Sequence, residues 1–297
     1  MQDWSQLLKD FHGKDLAQRK TWYGEIAENY NRVRPRYPAA IIARAIEHAN
    51  LSTHASVPAK ILELGCGPGI ATLPFAQLGF SMVSLEPNLE ASQIAKENCA
   101  QYPNVEIQNI SFEEWEVESG SMHPDREAFP KEIGNRFDAV LAATSWHWIP
   151  PEVAYPKTWT ALKEKGALIL LWNTPPQLSY EIYQDLDRVY QNLAPSIPPY
   201  ARYEPVETQI DHFGKFGQGI LDSGRFTNLV YDKLVCEVTY SLDDYLALLS
   251  TLSAYIVLDP ETRNTLFEGL RAELEKICGD RLPLSYVSAL HVAQKIG

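Results

Sequence analysis

Residues 60–72, KILELGCGPGIAT, decide how this chain is read. Ile61, Leu62 and Leu64 form a short apolar run suited to a parallel strand covered on both faces. Gly65, Gly67 and Gly69 follow at alternate positions, so the backbone can turn tightly and approach a ligand without Cβ atoms in the way. Pro68 is placed to begin a helix over residues 69–79 whose first N–H groups face that ligand.

Working outward, apolar strand patterns at 59–64, 81–86, 104–109, 137–143 and 166–172 alternate with helical patterns at 69–79, 88–101 and 151–163. Strands of this length punctuated by helices predict βαβ units with right-handed crossovers. Two further strands are expected at 229–238 and 284–293, with helices at 179–193, 241–253 and 260–278. The fold class is therefore α/β, a doubly wound, mostly parallel sheet of seven strands with helices on both faces. Ligands of such sheets bind at the carboxyl ends of strands.

Three regions follow within one integrated domain. Residues 1–57 supply N-terminal helices broken by the turn YNRVRPRYP, residues 58–173 the ligand-binding core, and residues 174–297 a helical lid plus the last strands. The stretch 174–228, rich in proline and aromatics, is expected to pack over the ligand face. The polar segment 116–135 reads as a surface insertion.

The 297 residues are 45% hydrophobic, enough for a sizeable core, and carry a formal net charge of −12. That charge disfavours the broad positive footprint that grips nucleic acid. Cys66, Cys99, Cys236 and Cys278 are not closely paired, which resembles neither a disulfide framework nor a zinc site, so free thiols and no metal are expected. The opening MQDWSQLLKDFHGKD lacks the order of a signal peptide, and no apolar run approaches a membrane span. A cytoplasmic protein, monomeric or homodimeric, acting on a small molecule away from membranes and nucleic acid, is the expectation.

A glycine loop after a first strand suits a dinucleotide, a nucleotide phosphate or S-adenosylmethionine. The dinucleotide fingerprint is GxGxxG, whereas the third glycine here comes one residue early. No GxxxxGK[ST] occurs to cradle phosphates. Glu63 lies just before the first glycine, and Glu86 ends the second strand, where a carboxylate can accept both hydroxyls of a ribose.

ELGCGPG, SLEPN, SFEEW, RFDAVLAATSWHW and LKEKGALILLWN, in this order and spacing, resemble the class I S-adenosylmethionine-dependent methyltransferases. The opening AENYNRVRPRYP and the closing TLSAYIVLDPETR are similar to a small-molecule subgroup, methyltransferase type 11-like, that includes trans-aconitate and quinone-biosynthesis enzymes. The resemblance implies a Rossmann-like sheet with an α-helical lid, S-adenosyl-L-methionine as donor and S-adenosyl-L-homocysteine as product. It implies that Gly65, Cys66 and Gly67 line the methionyl part, Glu86 holds the ribose, and Pro87 and Phe112 flank the adenine. Ser111 stands where the family more often has an acid for the adenine amino group. Ala143 and Thr144 would present backbone near the donor's amino group, and Tyr30 and Arg34 would close over it.

Methyl transfer from a sulfonium is an in-line displacement, so holding the acceptor on the S–CH₃ axis in a dry pocket does most of the work. A base is needed only where the acceptor carries its proton at neutral pH. His147, after the fourth strand in TSWHW, is the candidate base, with Trp146 and Trp148 shaping the pocket. Arg34, Arg36 and Arg202 could anchor a substrate carboxylate, and Ser253 and Tyr255 face the acceptor from the lid. The acceptor is expected to be methylated at oxygen or carbon. The rival readings are a donor-binding regulator without activity and a nicotinamide-dependent oxidoreductase.

Overall fold

The computed structural model describes residues 26–53, 56–116 and 137–297. Both the expected insertion at 116–135, apart from Glu116, and the first part of the N-terminal helical stretch lie outside the described residues. Seven strands form one sheet: β1 Lys60–Leu64, β2 Ser81–Leu85, β3 Val105–Gln108, β4 Phe137–Ala143, β5 Leu162–Asn173, β6 Phe226–Ser241 and β7 Arg281–Lys295. Their spatial order is β3-β2-β1-β4-β5-β7-β6. β7 pairs antiparallel with both β5 and β6, and the five strands from β3 to β5 pair in parallel. The expected mostly parallel α/β sheet is therefore the observed one.

Side-chain alternation builds two cores from these strands. Ile61, Ala139, Leu141, Ile169 and Leu171 face one side, where Ile41, Ile42 and Ile46 of α2 (Ala39–His48) and Phe75 of α3 (Thr72–Gln77) cover them. Leu62, Leu64, Val140, Leu168 and Trp172 face the other side, covered by α5 (Pro151–Ala161) and α8 (Val206–Asp222). Between α3 and α5 runs α4 (Leu89–Asn98), whose start is fixed by Asn88: its Oδ1 accepts the Ala91 N–H at 2.9 Å.

A third apolar core belongs to the lid. Leu186 and Tyr190 of α6 (Tyr180–Leu193), Leu246 and Leu249 of α9 (Leu242–Ser250), Tyr255 of α10 (Ser253–Ile256) and Leu266, Leu270 and Leu274 of α11 (Pro260–Ile277) pack together. Val33 of α1 (Ala27–Val33) joins them, and Tyr240 and the carbonyl of Val33 share a hydrogen bond, which ties the N-terminal helix to the lid. Ser241 Oγ caps α9 by accepting the Asp244 N–H at 3.1 Å, while the Asp244 carboxylate pairs with Arg32.

Two expectations change. Pro68 does not start a helix: Gly69, with φ +88°, holds the chain in a turn, and α3 begins at Thr72. The 174–228 segment is not lid alone, because α8 within it covers the sheet. Its Gly214, Gly217 and Gly219 argue against a helix by propensity. The packing explains two of them: a Cβ on Gly217 would meet Leu229 Cδ2 at 2.9 Å, and one on Gly219 would meet the Tyr155 hydroxyl at 2.8 Å. The lid instead draws most of its core from α6, α9, α10 and α11.

Candidate functional site

A cavity of about 1010 Å³ opens over the carboxyl ends of β1, β2, β4 and β5. Its first end is made largely of backbone. Gly65 and Gly67 have φ of +64° and +56°, and a Cβ on Gly65 would lie 2.9 Å from Ser145 Cβ, so the turn after β1 requires glycine there. The Cys66 N–H donates to the carbonyl of Leu85, and the Gly67 N–H to Glu86 Oε2 at 2.8 Å. Glu86 Oε1 accepts the Asn88 N–H at 2.8 Å. Each oxygen thus holds one backbone donor and keeps lone-pair capacity for another. Burial pushes the Glu86 carboxyl up to about 7, against those two hydrogen bonds that favour its charged form.

Glu63 lies behind the turn and does not line the cavity. Its Oε2 accepts Thr72 Oγ1 at 2.6 Å and Ser84 Oγ at 2.9 Å, joining α3 and β2 to β1, while burial pushes it up to about 7. Its Oε1 finds no hydrogen-bond partner among the described residues.

The cover over this end comes from the chain turn after α1. Arg34 lies over the Tyr30 ring, 4.7 Å from its centroid, and donates through Nε and Nη2 to the hydroxyl and carbonyl of Thr251 at 2.9 and 2.8 Å. Arg34 thereby bridges the N-terminal turn and the lid. The Tyr37 hydroxyl bonds Thr144 Oγ1 at 2.8 Å, and Thr144, with φ +56°, donates its N–H to the Leu171 carbonyl at 2.7 Å.

The second end is made of side chains. Trp172, at the end of β5, stacks on Phe216 at 4.8 Å and 12° and on Phe213 at 5.9 Å and 28°. Its Nε1–H donates to His291 Nδ1 at 3.2 Å, and burial pushes His291 down to about 4, so that imidazole is a neutral acceptor at working pH. His147 packs 4.5 Å from Trp148 and 5.7 Å from Trp172. On the rim, His212 Nδ1 lies 3.1 Å from Glu204 Oε1. Burial pushes the Glu204 carboxyl above its ordinary range, with His212 opposing it.

The family model of a methyltransferase domain matches residues 26–178, slightly more than half of the chain. The chain belongs to this methyltransferase family. It is 28% identical over 152 residues to an uncharacterized methyltransferase of Mycobacterium tuberculosis, covering 51% of this chain and 52% of that protein. The chain spans about half the length of the curated relatives it matches first. A mitochondrial O-methyltransferase of ubiquinone biosynthesis from Bos taurus is 29% identical over 128 residues, 41% of this chain and 31% of that one. A solved structure from Anaeromyxobacter dehalogenans, proposed to be a type II methyltransferase, aligns with a TM-score of 0.57 at 20% identity, covering 88% of this chain and 97% of that one. That likeness is one of fold.

Within this cavity the structure gathers Tyr30, Arg34, Gly65, Cys66, Gly67, Glu86, Pro87, Ser111, Phe112, Ala143 and Thr144 around the glycine turn, with His147, Trp148, Arg202 and Ser253 also on the wall. Other expectations need correction. Trp146 turns into the sheet core and packs edge-on against Tyr155 at 5.2 Å, because the 3-10 turn Trp146–Trp148 sends neighbouring side chains in different directions. Tyr255 is fully buried in the lid core, with its hydroxyl 2.8 Å from that of Tyr190. Arg36 does not line the cavity and donates to the Asn31 carbonyl. Arg202 reaches the wall, but its guanidinium already donates to Ile197 O, Asp187 Oδ1 and Pro195 O, so it is no open fork for a carboxylate. The Ser111 hydroxyl donates to Glu114 Oε2 at 2.8 Å and accepts the Glu114 N–H at 3.2 Å, which ties it to its own turn.

Sequence reasoning missed Trp172, Glu204, Gln209, His212, Phe213 and Phe216 on the cavity wall. The last four recur at i, i+3, i+4 and i+7, a single helical face that could have been found had α8 been read as a helix.

Proposed function

We propose that this chain transfers the methyl group of S-adenosyl-L-methionine to oxygen or carbon of a small organic acceptor. The observation that carries this reading is that one continuous cavity joins the glycine turn and Glu86 to the aromatic wall of Trp148, Trp172, Phe213 and Phe216. A volume of about 1010 Å³ at the upper end of ordinary ligand sites leaves room for two molecules side by side.

The residues at the first end fit the donor. Glu86 has a lone pair on each oxygen for the ribose hydroxyls, and its two backbone partners fix its plane before any ligand arrives. Gly65 and Gly67 leave the turn without side chains, Pro87 and Phe112 offer flat surfaces, and Tyr30 with Arg34 covers the site from above. When bound, the sulfonium supplies an electrophilic methyl group. The chain's own contribution is then to hold the acceptor in line and exclude water, for which the indoles of Trp148 and Trp172 are suited.

The test is titration calorimetry of S-adenosylhomocysteine followed by a screen of metabolite pools with labelled donor. Measurable binding and label transfer are expected. No heat of binding would contradict the reading, and binding without transfer in any pool would favour a donor-dependent regulator.

A further inference from the structure

The face that α8 turns to the cavity carries more than aromatic bulk. Phe213 and Phe216, with Trp172 stacked on them, make a flat apolar wall suited to a planar ring. His212 sits one turn before Phe216, on the same face. Its Nδ1 faces Glu204 Oε1 at 3.1 Å, and that contact holds the ring N–H at Nδ1 and leaves the Nε2 lone pair for a ligand.

Glu204 is itself held. Its N–H donates to Gln177 Oε1 at 3.1 Å, and its carbonyl accepts Gln177 Nε2 at 2.6 Å and Gln209 Nε2 at 2.8 Å. The side chains of His212 and Glu204 are 45% and 23% exposed, so the pair is reachable from the cavity. Arg202, Tyr203 and Lys215 line the same stretch of wall. His147, in contrast, packs against the indoles of Trp148 and Trp172.

We infer that the acceptor is a planar hydroxylated ring, that His212 takes its hydroxyl proton, and that Glu204 positions the imidazole. This rests on the methyl-transfer reading above. The acceptor oxygen forms the new O–C bond, and the donor's S–C bond breaks with its electron pair going to sulfur. The hydroxyl proton passes to His212 Nε2 and from there to solvent.

The probes are 1-naphthol and its methyl ether, added to the full chain with nitrogen-15 histidine. Before any probe, the His212 signals should show Nδ1 protonated and Nε2 bare near pH 8, and Glu204→Ala should relax them to a tautomer mixture. 1-Naphthol should shift the Nε2 signal, and the ether should not. With labelled donor and 1-naphthol, His212→Asn should lower turnover roughly 100-fold or more while S-adenosylhomocysteine affinity stays within about twofold. Glu204→Ala should lower it less, roughly tenfold, and displace the pH–rate profile. His212 signals unmoved by 1-naphthol, or turnover unchanged in His212→Asn, would overturn the assignment. Failure of S-adenosylhomocysteine to bind breaks the methyl-transfer reading instead, so the two failures are distinct.

Discussion

The two ends of the cavity are built by different means. The end at β1 and β2 is backbone: three glycines at positive φ, two N–H groups directed at Glu86, and a strand order that puts them side by side. The end at β5 and α8 is side chain: Trp172, His147, His212, Phe213 and Phe216, brought together from segments far apart in the chain. Backbone geometry is demanded by local sequence and tolerates little change, whereas a side-chain wall can be rebuilt residue by residue. The same sheet can therefore keep one donor seat and present many acceptor walls.

The largest expected effect breaks the first end alone. Glu86→Ala removes both acceptor oxygens and leaves the Gly67 and Asn88 N–H groups without them, and two charge-assisted bonds predict roughly 100-fold weaker S-adenosylhomocysteine binding by calorimetry. Affinity within a few-fold of wild type would mean that Glu86 does not hold the ribose. Gly65→Ala should follow, since the left-handed conformation costs a Cβ-bearing residue about 1–2 kcal/mol before the contact with Ser145 is counted. At least about tenfold weaker donor binding is expected.

The second end is probed by Phe216→Ala, which strips one face from the Trp172 stack. It should raise the KM for the acceptor about tenfold while leaving donor affinity nearly unchanged, because a lost stacked ring costs about 0.5–1.5 kcal/mol beyond its buried area. Equal damage to donor affinity would show that the two ends are not separable.

The ends also differ in how far they were legible. KILELGCGPGIAT and SLEPN state the glycine-turn end in consecutive residues, and strand boundaries there were read to within a residue. The aromatic end at β5 and α8 has no such local record. Three glycines in 206–222 lower helix propensity, and only the close packing of Gly217 on Leu229 and of Gly219 on Tyr155 explains two of them. Trp146 and Trp148 look equivalent in TSWHW, but the turn buries one and exposes the other to the cavity, a choice made by Tyr155 and the core. Tyr255 reads as a lid residue facing the ligand until Tyr190 is seen to take its hydroxyl.

A subtler effect separates binding from stability by pH. Glu63 and Glu86 are both pushed up to about 7 by burial, above the ordinary carboxyl value near 4.3. With the folded value raised, their stabilising contribution is full below about pH 4 and is lost as pH rises through about 7. The melting temperature of the free protein should therefore fall between about pH 4 and 7 on their account, and Glu86→Gln should flatten that slope. Donor affinity should run the other way, rising over the same window as the ionised Glu86 becomes available to accept both ribose hydroxyls. Parallel trends in the two measurements would remove Glu86 from the donor site.

The most direct measurement is a crystal structure of the full chain with S-adenosylhomocysteine. The account predicts ribose hydroxyls at about 2.5–3.0 Å from the two Glu86 oxygens, the amino-acid half against Gly65–Gly67, and the sulfur facing the space before Trp148 and Trp172. A ribose away from Glu86, or the ligand lying along the Trp172 and Phe216 wall, would contradict it.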